Sequence, residues 1–191
     1  RIHPAFRRRD PLNEILETAD SLRMRVLGHV EALHVGSGEA PARSPVLKRR
    51  PELSIRRGRK PSRFTGSDGR RHFLDPSNIE ARRLVGDVLF EVAERYAVLG
   101  VYINDLRYPR EMALPDFLRS ARDIEAFVRG HGATVGPDAM AFASDPASVR
   151  PLVEQLQAWR NEQLNETLRY FHCRIERANA RVWIVSQAVG P

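Results

Sequence analysis

Apolar positions along this chain fall into two alternating spacings. Pro11 to Leu22 carries Leu12, Ile15, Leu16 and Ala19 at helical intervals, with Asp10 placed to cap the first turn. Met24 to Leu33 is rich in Val and Leu and predicts a strand. His34 to Asp75 is dense in Gly, Pro, Ser and Arg and predicts a long irregular connection, which in a compact domain is functional or disordered. Asp75-Pro76-Ser77 then opens a helix, with Asp75 as its cap and Ile79, Leu84, Val88, Leu89, Val92 and Tyr96 as its buried stripe. Val98 to Ile103 predicts a second strand, Leu114 to Arg129 a helix stopped by Gly130 and Gly132, Pro151 to Ala178 a long helix, and Arg181 to Ser186 a last strand.

Helices and strands in alternation, with connections long enough to cross over, imply a parallel sheet. In such a sheet chemistry gathers beyond the C-terminal strand ends. The segment Gly-Val-Tyr-Ile-Asn-Asp-Leu-Arg-Tyr-Pro, residues 100–109, fits that position: an apolar strand runs directly into polar and charged side chains. The longest connections follow Leu33 and Ile103, so both emerge on that face.

A hydrophobic content of 42% in 191 residues is enough for one domain with a core. The net charge of +7 raises nucleic acid as a ligand. Its distribution argues otherwise, because the excess sits in Arg7 to Arg9 and Lys48 to Arg71, loop-like stretches without a nucleic-acid-binding motif. The lone Cys173 falls in a helical pattern and reads as a small core residue. No run approaches a membrane span, and the chain contains no signal peptide. It starts at Arg1 rather than Met and stops soon after the apolar run 182–185, so both ends are expected to be cut.

The order Asp10-Pro11-Leu12, Ser44-Pro45-Val46-Leu47, Pro51-Glu52, Phe73-Leu74-Asp75-Pro76-Ser77-Asn78, Gly100 to Pro109, Trp159-Arg160 and Val182 to Ser186 resembles the glycosyl-hydrolase-like family 10 domain. The resemblance implies a (β/α)8 TIM-barrel-like fold, here truncated to about three parallel strands with their helices. Residues 10–191 would form the partial barrel, and residues 1–9 a basic lead-in. It also implies action on polysaccharide, including bacterial cell-wall glycan, and an extracytoplasmic setting. A carbohydrate polymer is then the expected partner, with no nucleic acid and no cofactor.

Glycoside hydrolysis usually employs two carboxyl groups flanking the bond. The family's fourth strand typically reads Asp-Gly-Ile-His-Leu-Asp-x-x-Arg-Tyr-Pro, whose second Asp falls on Asn104 and whose first falls on Leu99. An amide is no general base, so the leading carboxylate must lie elsewhere. Asp105 is adjacent, but strand alternation turns it away from the Asn104 face unless the strand has already ended. Glu31 is the second candidate: Leu27, His29, Glu31 and Leu33 share one face by period two, and Glu31 lies near the strand end. Its alternative role is a structural pair with an arginine.

Asn104, Arg107, Tyr102, His29, Ser186 and Gln187 are the candidate sugar contacts. Arg107 suits a carboxylate or a sugar hydroxyl, or a structural pair with Asp105 or Glu111. Tyr102 points to the barrel interior, while Tyr108 stacks on a ring or packs under its loop. His29 is an interior histidine or a ligand. His29 and His34 suit an acid and a sugar ligand, or a metal pair; they do not share a strand face and no third ligand pattern follows, so no metal is expected. Trp159, in a stripe with Leu152 and Leu156, reads as core. The function that follows is glycoside hydrolysis by carboxylate acid/base chemistry. The alternatives are a carbohydrate-binding barrel that has lost its strand carboxylate, and a basic scaffold for anionic polymers.

Overall fold

The computed structural model describes residues 9–37, 44–57, 60–61, 64–66, 69–108, 146–179, 181 and 183–186. The first helix, α1 (Pro11–Ser21), begins where Asp10 accepts a hydrogen bond from the Asn13 N–H at 3.2 Å, with Pro11 pre-set for a first turn. The chain then forms β1 (Leu27–Glu31) and β2 (His34–Ser37). Next come α2 (Pro45–Arg49), a 3-10 turn at Pro51–Leu53, and the short strands β3 (Arg56–Arg57), β4 (Lys60–Pro61), β5 (Phe64–Gly66) and β6 (Gly69–Phe73). Helix α3 (Ile79–Arg95) leads to β7 (Gly100–Asn104), and α4 (Pro146–Ala178) precedes β8 (Trp183–Ser186).

Strands β1, β7 and β8 form a parallel three-stranded sheet in that order. Register pairs Leu27 with Gly100, Glu31 with Asn104, and Tyr102 with Val185. One face packs Val101, Ile103, Val30 and Ile184 against the helices. The other carries Leu27, His29, Glu31, Tyr102, Asn104, Trp183 and Val185, and Leu27, Trp183 and Val185 are exposed there. In a closed barrel this second face is the lumen, so the sheet is compatible with part of a TIM-barrel-like fold. The strands sit close at their start: a β-carbon on Gly100 would lie 2.7 Å from the Trp183 carbonyl oxygen and 3.0 Å from Leu27 Cδ2.

The connection expected to be irregular from His34 to Asp75 contains ordered structure. β2 and β5 flank β6 in an antiparallel sheet, and β3 pairs with β4. Ser44 caps α2 by accepting from the Leu47 N–H at 3.3 Å. Beyond β6 the chain is clamped on two sides, with Leu74 N–H donating to the Leu33 carbonyl and Asp75 N–H to that of Leu53, both at 2.8 Å. Leu33, Leu53, Ile55, Phe73 and Leu74 are fully buried as a result. Each side chain so placed contributes about 1.5–3 kcal/mol. Short polar strands with a bulge between His34 and Gly36 leave little periodicity for sequence reading to detect.

Several sequence expectations need correction. Asn78, not Asp75, caps α3, its Oδ1 accepting from the Glu80 N–H at 3.0 Å. Asp75 is buried and organises the preceding turn by accepting from Ser77 N–H at 2.9 Å and Ser77 Oγ at 2.6 Å. Ile79 and Val88 are exposed, and the buried face of α3 is Ala81, Val85, Gly86, Leu89 and Ala93. Small residues there bring α3 close to α4: a β-carbon on Gly86 would lie 2.7 Å from the Tyr170 ring. Cys173 is exposed on α4 rather than buried. Trp159 is in the core, as its stripe implied. The helix predicted at Leu114 to Arg129 lies outside the described residues.

Arg82 fastens the two helices to the turn that enters α3. Its guanidinium donates to Glu166 at 3.0 Å, to Gln163 at 2.6 Å and to the Pro76 carbonyl at 2.5 Å.

Candidate functional site

The C-terminal ends of β1 and β7 lie side by side because Glu31 and Asn104 are register partners, and the Ala32 N–H donates to the Asn104 carbonyl at 2.9 Å. Directly after Glu31 the chain buries Ala32 and Leu33 and enters β2 at His34. That reversal returns the His34 imidazole over the strand end, with Nδ1 2.6 Å from Glu31 Oε2. With the carboxylate ionised, the ring N–H donates to it.

β7 ends at Asn104, and Asp105 follows with φ at +50°. This left-handed conformation, which Asp tolerates better than most residues, breaks the strand alternation. One oxygen of Asp105, one of Glu31 and one nitrogen of His34 all lie within 4.8 Å of one another. The condition under which Asp105 can stand in for Asn104, that the strand has already ended, is therefore met.

Arg107 holds Asp105 rather than reaching away from it. Its Nε and Nη2 each lie 3.0 Å from Asp105 Oδ1, and its guanidinium sits 5.8 Å from the centre of the Phe73 ring. The same ring lies 5.5 Å from that of His34. Phe73, buried by the antiparallel sheet, is thus the apolar floor under both polar groups. Side-chain exposure is 14% for Asp105, 15% for His34 and 46% for Glu31, so the cluster opens to solvent on the Glu31 side.

The open sheet face continues the site. The His29 and Tyr102 rings meet edge to face, with centroids 5.3 Å apart, two residues before Glu31 and Asn104 respectively. His29 is exposed rather than an interior histidine. Ser186 is the register partner of Ile103 at the end of β8, while Gln187 lies outside the described residues. Tyr108 takes the packing role: Arg160 lies 4.9 Å over its ring. A hollow lined by Arg25, Val26, Val98, Leu99 and Arg181 belongs to the opposite, N-terminal end of the strands, away from these carboxylates.

The sequence offers His34 only as a partner of His29, whereas the structure sets it beside Glu31. Its signal was present as a histidine three residues after a strand-end glutamate, but the chain reversal that joins them depends on β2 pairing with β6.

The family model described as glycosyl hydrolase-like 10 matches residues 6–185, nearly the whole chain. The chain belongs to the glycosyl hydrolase-like 10 family. A search of curated proteins returns no match. Membership makes this a glycoside-hydrolase-like domain with an α/β fold. Among the described residues, no helix of this family member is long and apolar enough to cross a membrane.

Proposed function

We propose that this domain hydrolyses O-glycosidic bonds of a polysaccharide, bacterial cell-wall glycan being the leading substrate class, with Asp105 and Glu31 as the working carboxyl pair. The observation that carries the reading is their convergence: an oxygen of each lies within 4.8 Å of the other at the C-terminal strand ends. That separation is nearer the spacing of about 5–5.5 Å used by retaining enzymes than the roughly 6.5–9.5 Å needed to admit a water in inverting ones. Asp105, oriented by Arg107, is the nucleophile. Glu31, more exposed and hydrogen-bonded to His34, is the acid that protonates the leaving oxygen and then the base that activates water. Asn104, Tyr102 and His29, on the same open face, supply hydrogen bonds and ring contacts for sugar.

Release of reducing ends from glycan strands tests this reading. The intact protein should release them, and Asp105→Asn and Glu31→Gln should each abolish most of that release. Release unaffected by both substitutions would overturn the assignment. Asn104, standing where the family has an aspartate, favours a second reading in which the barrel binds glycan without cutting it. That reading predicts glycan retention by the wild type without release of reducing ends.

A further inference from the structure

We propose that Glu31, His34 and Asp105 together form a site for a divalent transition-metal cation. Each offers one ligand atom, and the three atoms lie within 4.8 Å of one another. They come from the end of β1, the start of β2 and the residue after β7, so they surround a point rather than line one strand. Ligands around a tetrahedral ion, at about 2.1 Å from it, stand roughly 3.4 Å apart. The Glu31–His34 contact at 2.6 Å must therefore open by less than an ångström, while the other separations close from at most 4.8 Å. Glu31, long and half-exposed, has the freedom to make that adjustment.

The donor chemistry selects the ion. One imidazole nitrogen with two carboxylate oxygens suits zinc and its neighbours better than calcium or magnesium, which favour oxygen alone. Three protein ligands with the remaining side open is the arrangement of reactive rather than purely structural zinc sites. The outer support that such ligands require is also in place: Arg107 fixes the Asp105 carboxylate, and Phe73 seats the His34 ring. A bound cation would occupy the Glu31 oxygen that acid catalysis uses, so zinc would suppress hydrolysis. This last consequence rests on the proposed function; the binding itself does not.

Zinc titration of the full protein against a chromophoric chelator, without carbohydrate, tests the site. One equivalent should bind, and Glu31→Gln and Asp105→Asn should each weaken it at least tenfold while leaving the circular dichroism and melting temperature near those of the wild type. The exposed His172, 3.2 Å from Glu176 and beside Cys173 on α4, is the surface competitor, and His172→Ala should leave the affinity unchanged. Absence of stoichiometric binding, equal binding by the Glu31 and Asp105 variants, or loss through His172→Ala would each overturn the proposal. Hydrolysis without zinc binding would sink this site alone. Zinc binding together with no hydrolysis by the zinc-free protein would sink the glycosidase reading alone.

Discussion

Glu31 Oε2 and His34 Nδ1 lie 2.6 Å apart although one side chain ends a parallel strand and the other begins an antiparallel one. The contact joins the two sheets at the point where carboxylates gather. Replacing Glu31 by Gln preserves its size and removes its acid. Hydrolysis should fall about 10²–10⁴-fold in steady-state assays, the range associated with one positioned acid or base. Retention of full activity would assign Glu31 to a structural role.

Asp105 combines chemistry with backbone geometry. Asn also tolerates a φ of +50°, so Asp105→Asn should unfold at nearly the wild-type denaturant midpoint while losing activity. Asp105→Val places a β-branched residue in that conformation and should additionally cost about 1–3 kcal/mol in chemical unfolding.

Arg107 holds Asp105 with two guanidinium nitrogens. A lysine lacks that planar fork, so Arg107→Lys should lower kcat with little change in thermal midpoint. Activity equal to wild type would show that Asp105 is oriented without it.

Gly100 is where the parallel strands pack most closely. Ala there would meet the Trp183 carbonyl at 2.7 Å, and backbone on that side cannot simply rotate away. Gly100→Ala should destabilise by about 1–3 kcal/mol, measured by urea unfolding. Arg82→Met should cost a similar amount, about 1–3 kcal/mol, by leaving the Pro76 carbonyl, Gln163 and Glu166 without their shared donor.

Asp10 gives α1 one source of pH dependence. The Tyr96 hydroxyl donates to its carboxylate at 2.9 Å, and that bond, with the Asn13 N–H, holds the Asp10 carboxyl below its ordinary value of 3.8. A depressed carboxyl stabilises the fold above the unfolded value, and the contribution disappears as pH falls through the lower folded one. Tyr96→Phe should therefore lower the thermal midpoint at pH 7 and converge with wild type in strongly acidic solution. A difference that persists undiminished at low pH would remove Asp10 from the explanation.

The local sequence by itself determined the parallel order of β1, β7 and β8, the helices α3 and α4 between them, and the strand end at which polar side chains collect. Periodicity and end signals such as Asp10 before Pro11 act over a few residues, so they are readable in one chain. Tertiary structure decided which side chains meet there. Asp105 joins Glu31 through one positive φ, His34 joins them because β6 captures β2, and Phe73 supports both groups from a segment expected to be irregular. Exposure of Ile79, Val88 and Cys173 has the same origin: hydrophobic character allows burial, but the partner's position selects the buried face. Distant backbone pairing and a single dihedral set these directions, and neither leaves a repeating mark in the residues nearby.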